Sequence, residues 1–167
     1  MQALITRSDI AQYRQISKTP NDSKLNEMIL DAQLLDIQPL LGEKLFNAVM
    51  ASPESYPDLL DGGSYEYEGT TYTNYGLKMT LTYFTYARYI MFSSVTDTPF
   101  SVVEKISKDT SKPVEGTTKK TIYQLNRESA FKIWENVALW LIRTGNSEYK
   151  KYCGKNTNRS MRFSKII

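Results

Sequence analysis

The residues of this sequence that could perform chemistry are carboxylates and a single thiol, because none of its 167 residues is histidine. Histidine is the commonest general base and the commonest transition-metal ligand in proteins. Carboxylates together with the one cysteine, Cys153, form a poor ligand set for zinc, which prefers several cysteine or histidine ligands. The composition therefore argues against a zinc site, and we predict no bound metal and no cofactor.

Two pairs of acidic residues have spacings that matter for acid–base catalysis or cation binding. Asp31 and Asp36 are five positions apart, which places them about 140° apart around a helix and makes a shared site unfavourable. Glu66 and Glu68 are two positions apart on a predicted strand, so they project from the same face. A cation could bind there, but two solvated surface charges are the favoured interpretation.

The other catalytic signals in the sequence are weak. Lysines near Cys153 favour its thiolate form, but no histidine is present to act as a base. Gly62 and Gly63 lack the spacing and the lysine of a phosphate-binding loop, and no serine lies in a nucleophile elbow. We predict that the protein is not an enzyme; a carboxylate enzyme that uses Glu66 or Glu68 is a minor alternative.

The strongest local pattern lies in residues 21–52 and predicts two helices that meet at a corner. Asn21 or Asp22 is a suitable N-cap. Pro39 is expected to separate the two helices, because proline lacks the amide hydrogen that a helix interior needs but is tolerated in a first turn. An apolar stripe lies on each side of this corner. The stripes consist of Leu25, Met28, Ile29, Ala32 and Leu35, then Leu41, Leu45, Ala48 and Val49.

A shorter helix is predicted before this pair, and a loop after it. Thr6 and Asp9 form a capping-box pattern that begins a helix over residues 7–17. The predicted buried residues of that helix are Ile10, Tyr13 and Ile16. Two prolines and a Gly-Gly pair in residues 52–63 indicate a loop.

Two long helices complete the predicted core. The first spans residues 75–95, and Arg88 interrupts its apolar face. An ion-paired or snorkelling arginine is the favoured interpretation of Arg88, and an interface role is the alternative. The second helix spans residues 117–143 and ends at Gly145, a natural C-cap. Its segment 137–142, VALWLI, is apolar all round and is predicted to be the deepest part of the core.

Two segments between the helices are predicted to be extended. Residues 64–74 alternate tyrosine and threonine around a Glu68-Gly69 turn, which predicts a β-hairpin. An isolated hairpin is marginally stable, so it must pack against its own helices or against a neighbouring subunit. Residues 94–116 form an irregular excursion, in which Val102 and Val103 are candidates for a strand.

The positive charge is concentrated at the C-terminal end. Residues 143–167 contain seven lysines and arginines and one acid, a net charge of +6, which leaves 3 − 6 = −3 for residues 1–142. We therefore divide the chain into a helical domain, residues 1–145, and a basic arm, residues 146–167. The arm could contact phosphates, lie in an acidic protein groove, remain solvated, or add a strand to a neighbour through residues 161–166, whose alternation favours the strand.

These observations predict a mainly α protein, a helical bundle of about four main helices with a β-hairpin insertion and an extended C-terminal arm. The sequence contains twelve tyrosines, a residue type that suits half-buried and interface positions. Interaction is therefore the predicted role of the hairpin, the excursion and the arm. The candidate interaction residues are Tyr65, Tyr67, Tyr72, Phe100, Arg159, Arg162, Phe163 and Ile166.

Three segments resemble a known group of proteins. They are ILDAQLLDIQPLLGEKLFNAV at residues 29–49, GLKMTLTYFTYARYI at residues 76–90, and TPF at residues 98–100 followed by a tryptophan-bearing helix. In this order they resemble the head–tail connector, or adaptor, proteins of tailed phages, above all those of crAss-like and related phages that infect Bacteroidetes. The AQ, D and PLLG positions of the first segment are the most specific part of the resemblance.

The resemblance implies a structural protein of the virion neck, assembled in the host cytoplasm. Such adaptors form a homo-oligomeric ring, typically dodecameric, below the portal protein, contact adjacent neck or tail proteins, and let DNA pass through the lumen without sequence-specific binding. The group has no catalytic residues. The alternative is a nucleic-acid-binding regulatory or packaging protein that uses the basic arm. No stretch of the sequence predicts a membrane span or a signal peptide.

Overall fold

The computed structural model describes residues 1–17, 22–93, 95–97, 102–104 and 114–149, and confirms a mainly helical fold with a two-stranded hairpin. Four of its helices have nine or more residues, which agrees with the predicted number of main helices. The helices are α1 (Arg7–Tyr13), α2 (Ser23–Ala32), α3 (Gln38–Leu41), α4 (Glu43–Ala51), α5 (Pro57–Leu60), α6 (Leu77–Phe92) and α7 (Gly116–Arg143). A π-helical turn (Gln33–Ile37) joins α2 to α3, and a 3-10 turn (Pro53–Ser55) precedes α5.

Two antiparallel strand pairs interrupt the helices. Strand β1 (Gly63–Tyr67) pairs with β2 (Thr70–Asn74), so the predicted hairpin is confirmed. Glu68 and Gly69 both have positive φ, 49° and 74°, as a type I′ turn requires. Strand β3 (Val95–Asp97) pairs with β4 (Val102–Glu104), which confirms a strand at Val102 and Val103.

The core forms where α6 packs against α7, α2 and α1. Each of these helices contributes an apolar face, and together with α3, α4 and α5 they enclose one hydrophobic cluster. Its largest fully buried side chains are Phe84, Ile5, Ile10, Leu25, Ile29, Ile37, Leu41, Leu45, Leu59, Leu77, Leu81 and Leu141. The predicted loop over residues 52–63 thus contains a short helix, α5, that contributes Leu59 to this core.

The π-turn overturns two predictions about the helix pair. Leu35, predicted to be buried, is 60% exposed, because the wider turn includes an extra residue and rotates the following positions. Asp36 and Ile37 face the core instead. Pro39 also does not form the corner: it lies in the first turn of α3, where proline is tolerated, and the corner follows at Gly42, whose φ is 78°.

The predicted start of the first helix is confirmed, but its predicted end is wrong. The capping box is present, because the Thr6 amide donates a hydrogen bond of 2.7 Å to the Asp9 carboxylate. Helix α1 ends at Tyr13, since Arg14 has extended backbone angles. Of the three residues predicted to be buried, Ile10 is fully buried, Ile16 is half-buried, and Tyr13 is 41% exposed.

A buried carboxylate links three elements of the fold. The Asp36 side chain in the π-turn is only 2% exposed. Its Oδ2 atom lies 2.8 Å from Arg88 Nε on α6, and its Oδ1 atom lies 2.6 Å from Arg127 Nη1 on α7. The ion-paired interpretation of Arg88 is confirmed. The cluster joins the π-turn to the two helices that form most of the core.

Two glycines hold the hairpin close to the rest of the chain. Gly62 and Gly76 flank it, and each has a positive φ. A Cβ atom on Gly62 would lie 2.3 Å from the Asn74 carbonyl oxygen, and one on Gly76 would lie 2.7 Å from the Leu60 carbonyl oxygen. The segments that enter and leave the hairpin are thus in backbone-to-backbone contact, which only glycine permits.

We expect Asp36→Ala to lower the free energy of unfolding by about 3–5 kcal/mol, because it leaves two largely buried guanidinium groups without their counter-charge. Urea unfolding followed by circular dichroism measures the change. Asp31→Ala removes a carboxylate that is half-buried and outside this cluster, and we expect it to change stability by less than about 0.5 kcal/mol. Equal effects of the two substitutions would contradict the role given to Asp36.

We expect Gly76→Ala to destabilise the protein more than Gly69→Ala. Both residues have a positive φ that costs an alanine about 1–3 kcal/mol, but a Cβ atom at Gly69 meets no atom within 4 Å. The backbone clash at Gly76 adds to the strain. Thermal unfolding of the two variants tests this order, and a lower melting temperature for Gly69→Ala would refute the close contact.

Candidate interaction surface

The three predicted hairpin tyrosines gather around one arginine at the end of α7. The Arg143 guanidinium lies 4.0 Å from the ring centroid of Tyr72 and 5.3 Å from that of Tyr67. Its Nη1 atom donates a hydrogen bond of 3.0 Å to the Tyr65 hydroxyl. Tyr65 and Tyr72 also stack, with ring centroids 5.7 Å apart. The sequence identified these tyrosines as interaction residues, and the structure places them in a contact within the chain.

This contact explains how the hairpin is supported. Asn136 of α7 donates a hydrogen bond of 2.9 Å to the Thr73 carbonyl and accepts one of 2.9 Å from the Tyr75 amide. The hairpin therefore packs against its own helix. Hydrogen bonding to Tyr65 raises the pKa of Arg143, so the guanidinium stays charged above the tyrosine rings at any physiological pH.

Glu66 and Glu68 do not share one strand face as predicted, because Glu66 lies in β1 whereas Glu68 lies in the turn and has a positive φ. The neighbouring Glu68 carboxylate raises the pKa of the Tyr67 hydroxyl. Glu66 is exposed. Within the described ranges, no group of three or more acidic or cysteine side chains is placed to hold a metal ion.

The outer face of α7 corrects the prediction for residues 137–142. Val137 and Leu141 are buried as expected, but Leu139 is 48% exposed and Ile142 is 45% exposed. The segment is apolar all round, yet the described elements leave the side of α7 that bears Leu139 and Ile142 uncovered. An apolar face at the C-terminal end of the longest helix is therefore left in contact with solvent.

This exposed face forms one wall of a groove of about 480 Å³. Helix α3 provides the opposite wall, and Tyr149 lies at the end of the described chain, with its ring centroid 6.1 Å from that of Trp134 in an edge-on contact. Partial burial raises the pKa of the Tyr149 hydroxyl. We call this feature the α7 groove, and its lining residues are Pro39, Leu40, Trp134, Glu135, Ala138, Leu139, Ile142 and Tyr149.

The α7 groove was not predicted from the sequence. The signal was present in the VALWLI segment, because a helix that is apolar all round needs a partner on every side. The expectation that the protein's own core would supply all of those partners was wrong. The other wall is produced by the π-turn, which carries α3 and its Pro39 and Leu40 to this position.

A second depression lies between α1, α6 and α7 and is more polar. The Arg14 guanidinium lies 4.2 Å from the ring centroid of Tyr83 and 5.9 Å from that of Tyr86. Asn126 is buried, and its Nδ2 atom donates a hydrogen bond of 2.7 Å to the Ile122 carbonyl. No pair of groups here has the arrangement of a nucleophile and its base.

Five of the predicted interaction residues lie outside the part of the chain that the structure describes, and so does the strand predicted over residues 161–166. These five are Phe100, Arg159, Arg162, Phe163 and Ile166. Their roles therefore stay predictions.

Comparison with known proteins places the chain in a family. A family model described as a family of unknown function, DUF6712, matches residues 37–162. The chain belongs to the DUF6712 family. The region that DUF6712 covers includes the hairpin, α6, α7 and both walls of the α7 groove. No curated protein and no solved structure matches the chain.

In the described ranges, none of the helices combines the length and the hydropathy that crossing a bilayer requires.

We expect Arg143→Met to loosen the hairpin of this DUF6712 protein. The methionine keeps much of the apolar stem but removes the cation–π contacts and the hydrogen bond to Tyr65. Hydrogen exchange measured by mass spectrometry should become at least about threefold faster for residues 63–74, because local opening controls exchange there. Lys132→Met, on the exposed side of the same helix, is the matched control. Unchanged exchange in Arg143→Met would mean that the hairpin does not depend on this contact.

Proposed function

We propose that this protein is a structural component of a phage neck, a ring-forming adaptor that joins the portal to the tail and surrounds the passing DNA. The resemblance of residues 29–49 and 76–90 to head–tail connector proteins supports this proposal. In this role the chain acts by assembly: its partners are other copies of itself, the portal protein and adjacent neck proteins. Its location is the virion.

The observation that carries the proposal is the amount of apolar side chain left exposed around the α7 groove. Exposed apolar patches in a well-packed protein mark surfaces that another molecule covers. The π-turn, which ends two residues before Pro39 of the groove, adds the exposed side chains of Leu34 and Leu35. The large apolar residues exposed at the groove and on the π-turn are Leu34, Leu35, Leu139 and Ile142.

The helical framework also suits a ring subunit. Helices α6 and α7 are 16 and 28 residues long and pack along each other, so they form a stiff unit. A ring closes when one surface of each subunit binds a different surface of the next. A groove on one subunit and a protruding segment on its neighbour form such a pair.

The charge distribution is compatible with a DNA channel. Residues 1–149 contain 15 lysines and arginines and 18 acids, so 15 − 18 = −3 is the net charge of this region. A protein that neutralises many phosphates holds the DNA strand through counterion release. A mildly acidic protein surface binds fewer phosphates, so the DNA can move past it.

We expect the full-length protein to form closed rings of about twelve copies, alone or with its portal protein. Native mass spectrometry and negative-stain electron microscopy measure the copy number and the shape. Leu139→Glu with Ile142→Glu should abolish the rings, because it places two charges in an apolar interface. Leu125→Glu places a charge on the same helix outside the α7 groove, and it is expected to leave the rings intact.

A protein that stays monomeric even with the portal present would contradict the proposal. If that monomer binds DNA tightly, with affinity that falls steeply as salt rises, the nucleic-acid-binding alternative is favoured. Loss of this binding on deletion of residues 154–167 would assign it to the basic arm.

A further inference from the structure

The α7 groove lies where the described part of the chain ends. Tyr149 is both its last described residue and part of the groove lining. The sequence continues with 18 residues, 150–167, that include six lysines and arginines and no acid. They also include Met161, Phe163 and two terminal isoleucines. A basic segment with apolar side chains therefore leaves each subunit beside an apolar groove.

The chemistry of the groove is complementary to that segment. Most of its lining is apolar, its single charged residue is Glu135, and no lysine or arginine lines it. Glu135 is exposed and forms no ion pair with any other residue in the described ranges. A volume of about 480 Å³ lies within the range of sites that bury a few bulky groups. An apolar peptide with flanking positive charge is the ligand that this lining favours.

We propose that the α7 groove binds residues 150–167 of a second copy of this chain, with Met161 and Phe163 as the apolar anchors. In an extended segment these two residues project to one side, while Arg162 and Ser164 project to the other. The anchors then contact the apolar lining, and the basic residues of the segment lie near Glu135. This inference rests on the proposed function, because the second copy is the neighbour in the ring.

The length of the segment and the geometry of a ring favour a neighbouring subunit as the source of the segment. An extended segment of 18 residues reaches up to about 60 Å, far enough to meet an adjacent subunit. If the segment of each subunit binds the groove of the next subunit, every interface joins two different surfaces. Interfaces of this kind can close into a ring.

Cysteine crosslinking tests the occupant and its origin. With Cys153→Ser in all chains, we mix a Leu139→Cys chain with a Phe163→Cys chain of different mass and oxidise mildly. The expected product is the mixed disulfide dimer, at a yield at least about tenfold above that of a Leu125→Cys and Phe163→Cys mixture. A crosslink that forms only within a chain bearing both Leu139→Cys and Phe163→Cys would overturn the second-copy assignment. Equal yields at Leu139→Cys and Leu125→Cys would overturn the site.

A binding experiment keeps this inference separable from the proposed function. A labelled peptide of residues 150–167, with serine in place of Cys153, is titrated into full-length protein that carries Met161→Asp and Phe163→Asp. Leu139→Glu with Ile142→Glu in that protein should weaken binding at least about tenfold, because it places charge against both apolar anchors. Leu125→Glu should leave the affinity unchanged, and a scrambled peptide of equal charge should bind at least about tenfold more weakly.

The outcomes distinguish the two proposals. If rings form but neither the crosslink nor peptide binding is observed, the proposed function stands and this inference is overturned. If the peptide binds at the α7 groove but the protein never forms rings, the groove assignment stands and the proposed function is overturned. A scrambled peptide that binds equally well would show that charge alone attracts the segment, and would overturn the anchored site.

Discussion

The structure depends on one buried carboxylate and the two arginines that neutralise it. A charge can be buried only when opposite charge and hydrogen bonds replace the water it loses. Asp36 meets this requirement with one arginine from α6 and one from α7. The Arg127 guanidinium is in turn surrounded by aromatic rings, with Phe84, Tyr123 and Phe131 at 5.2, 5.5 and 5.6 Å. The π-turn and the two longest helices are therefore fixed relative to one another.

The same π-turn also creates the surface outside the core. Its extra residue directs Ile37 inward and leaves Leu34 and Leu35 in solvent, while Asp36 stays on the buried side. It then carries α3 to the position where Pro39 and Leu40 form a wall of the α7 groove. The buried Ile37 and the exposed apolar surface are thus two consequences of one irregular helical turn, and π-turns are frequent at functional sites.

The C-terminal third of α7 serves three purposes at once. Its inner face contributes Val137 and Leu141 to the core, and its outer face forms the second wall of the groove. Arg143 and Asn136 hold the hairpin. A surface built on a long, well-packed helix keeps its shape when a partner binds, which favours a repeated contact between subunits.

The sequence by itself determined the features that have local causes. The capping box at Thr6, the turn at Glu68 and Gly69, and the C-cap at Gly145 all follow from the short-range preferences of their residues, and all are present. The extent of α7 followed in the same way from its unbroken helical pattern. The tyrosine-rich hairpin was likewise predictable, although its contact with Arg143 was not.

Only the tertiary structure decided which side of each helix faces the core. A count at 3.6 residues per turn predicted Leu35 to be buried at the edge of the stripe, and a single π-turn left it in solvent and brought Ile37 into the core. An apolar segment such as residues 137–142 shows that burial is needed, but it does not show which neighbour provides it. That depends on contacts between residues far apart in the sequence, such as Asp36 with Arg127, and a local pattern has no information about them.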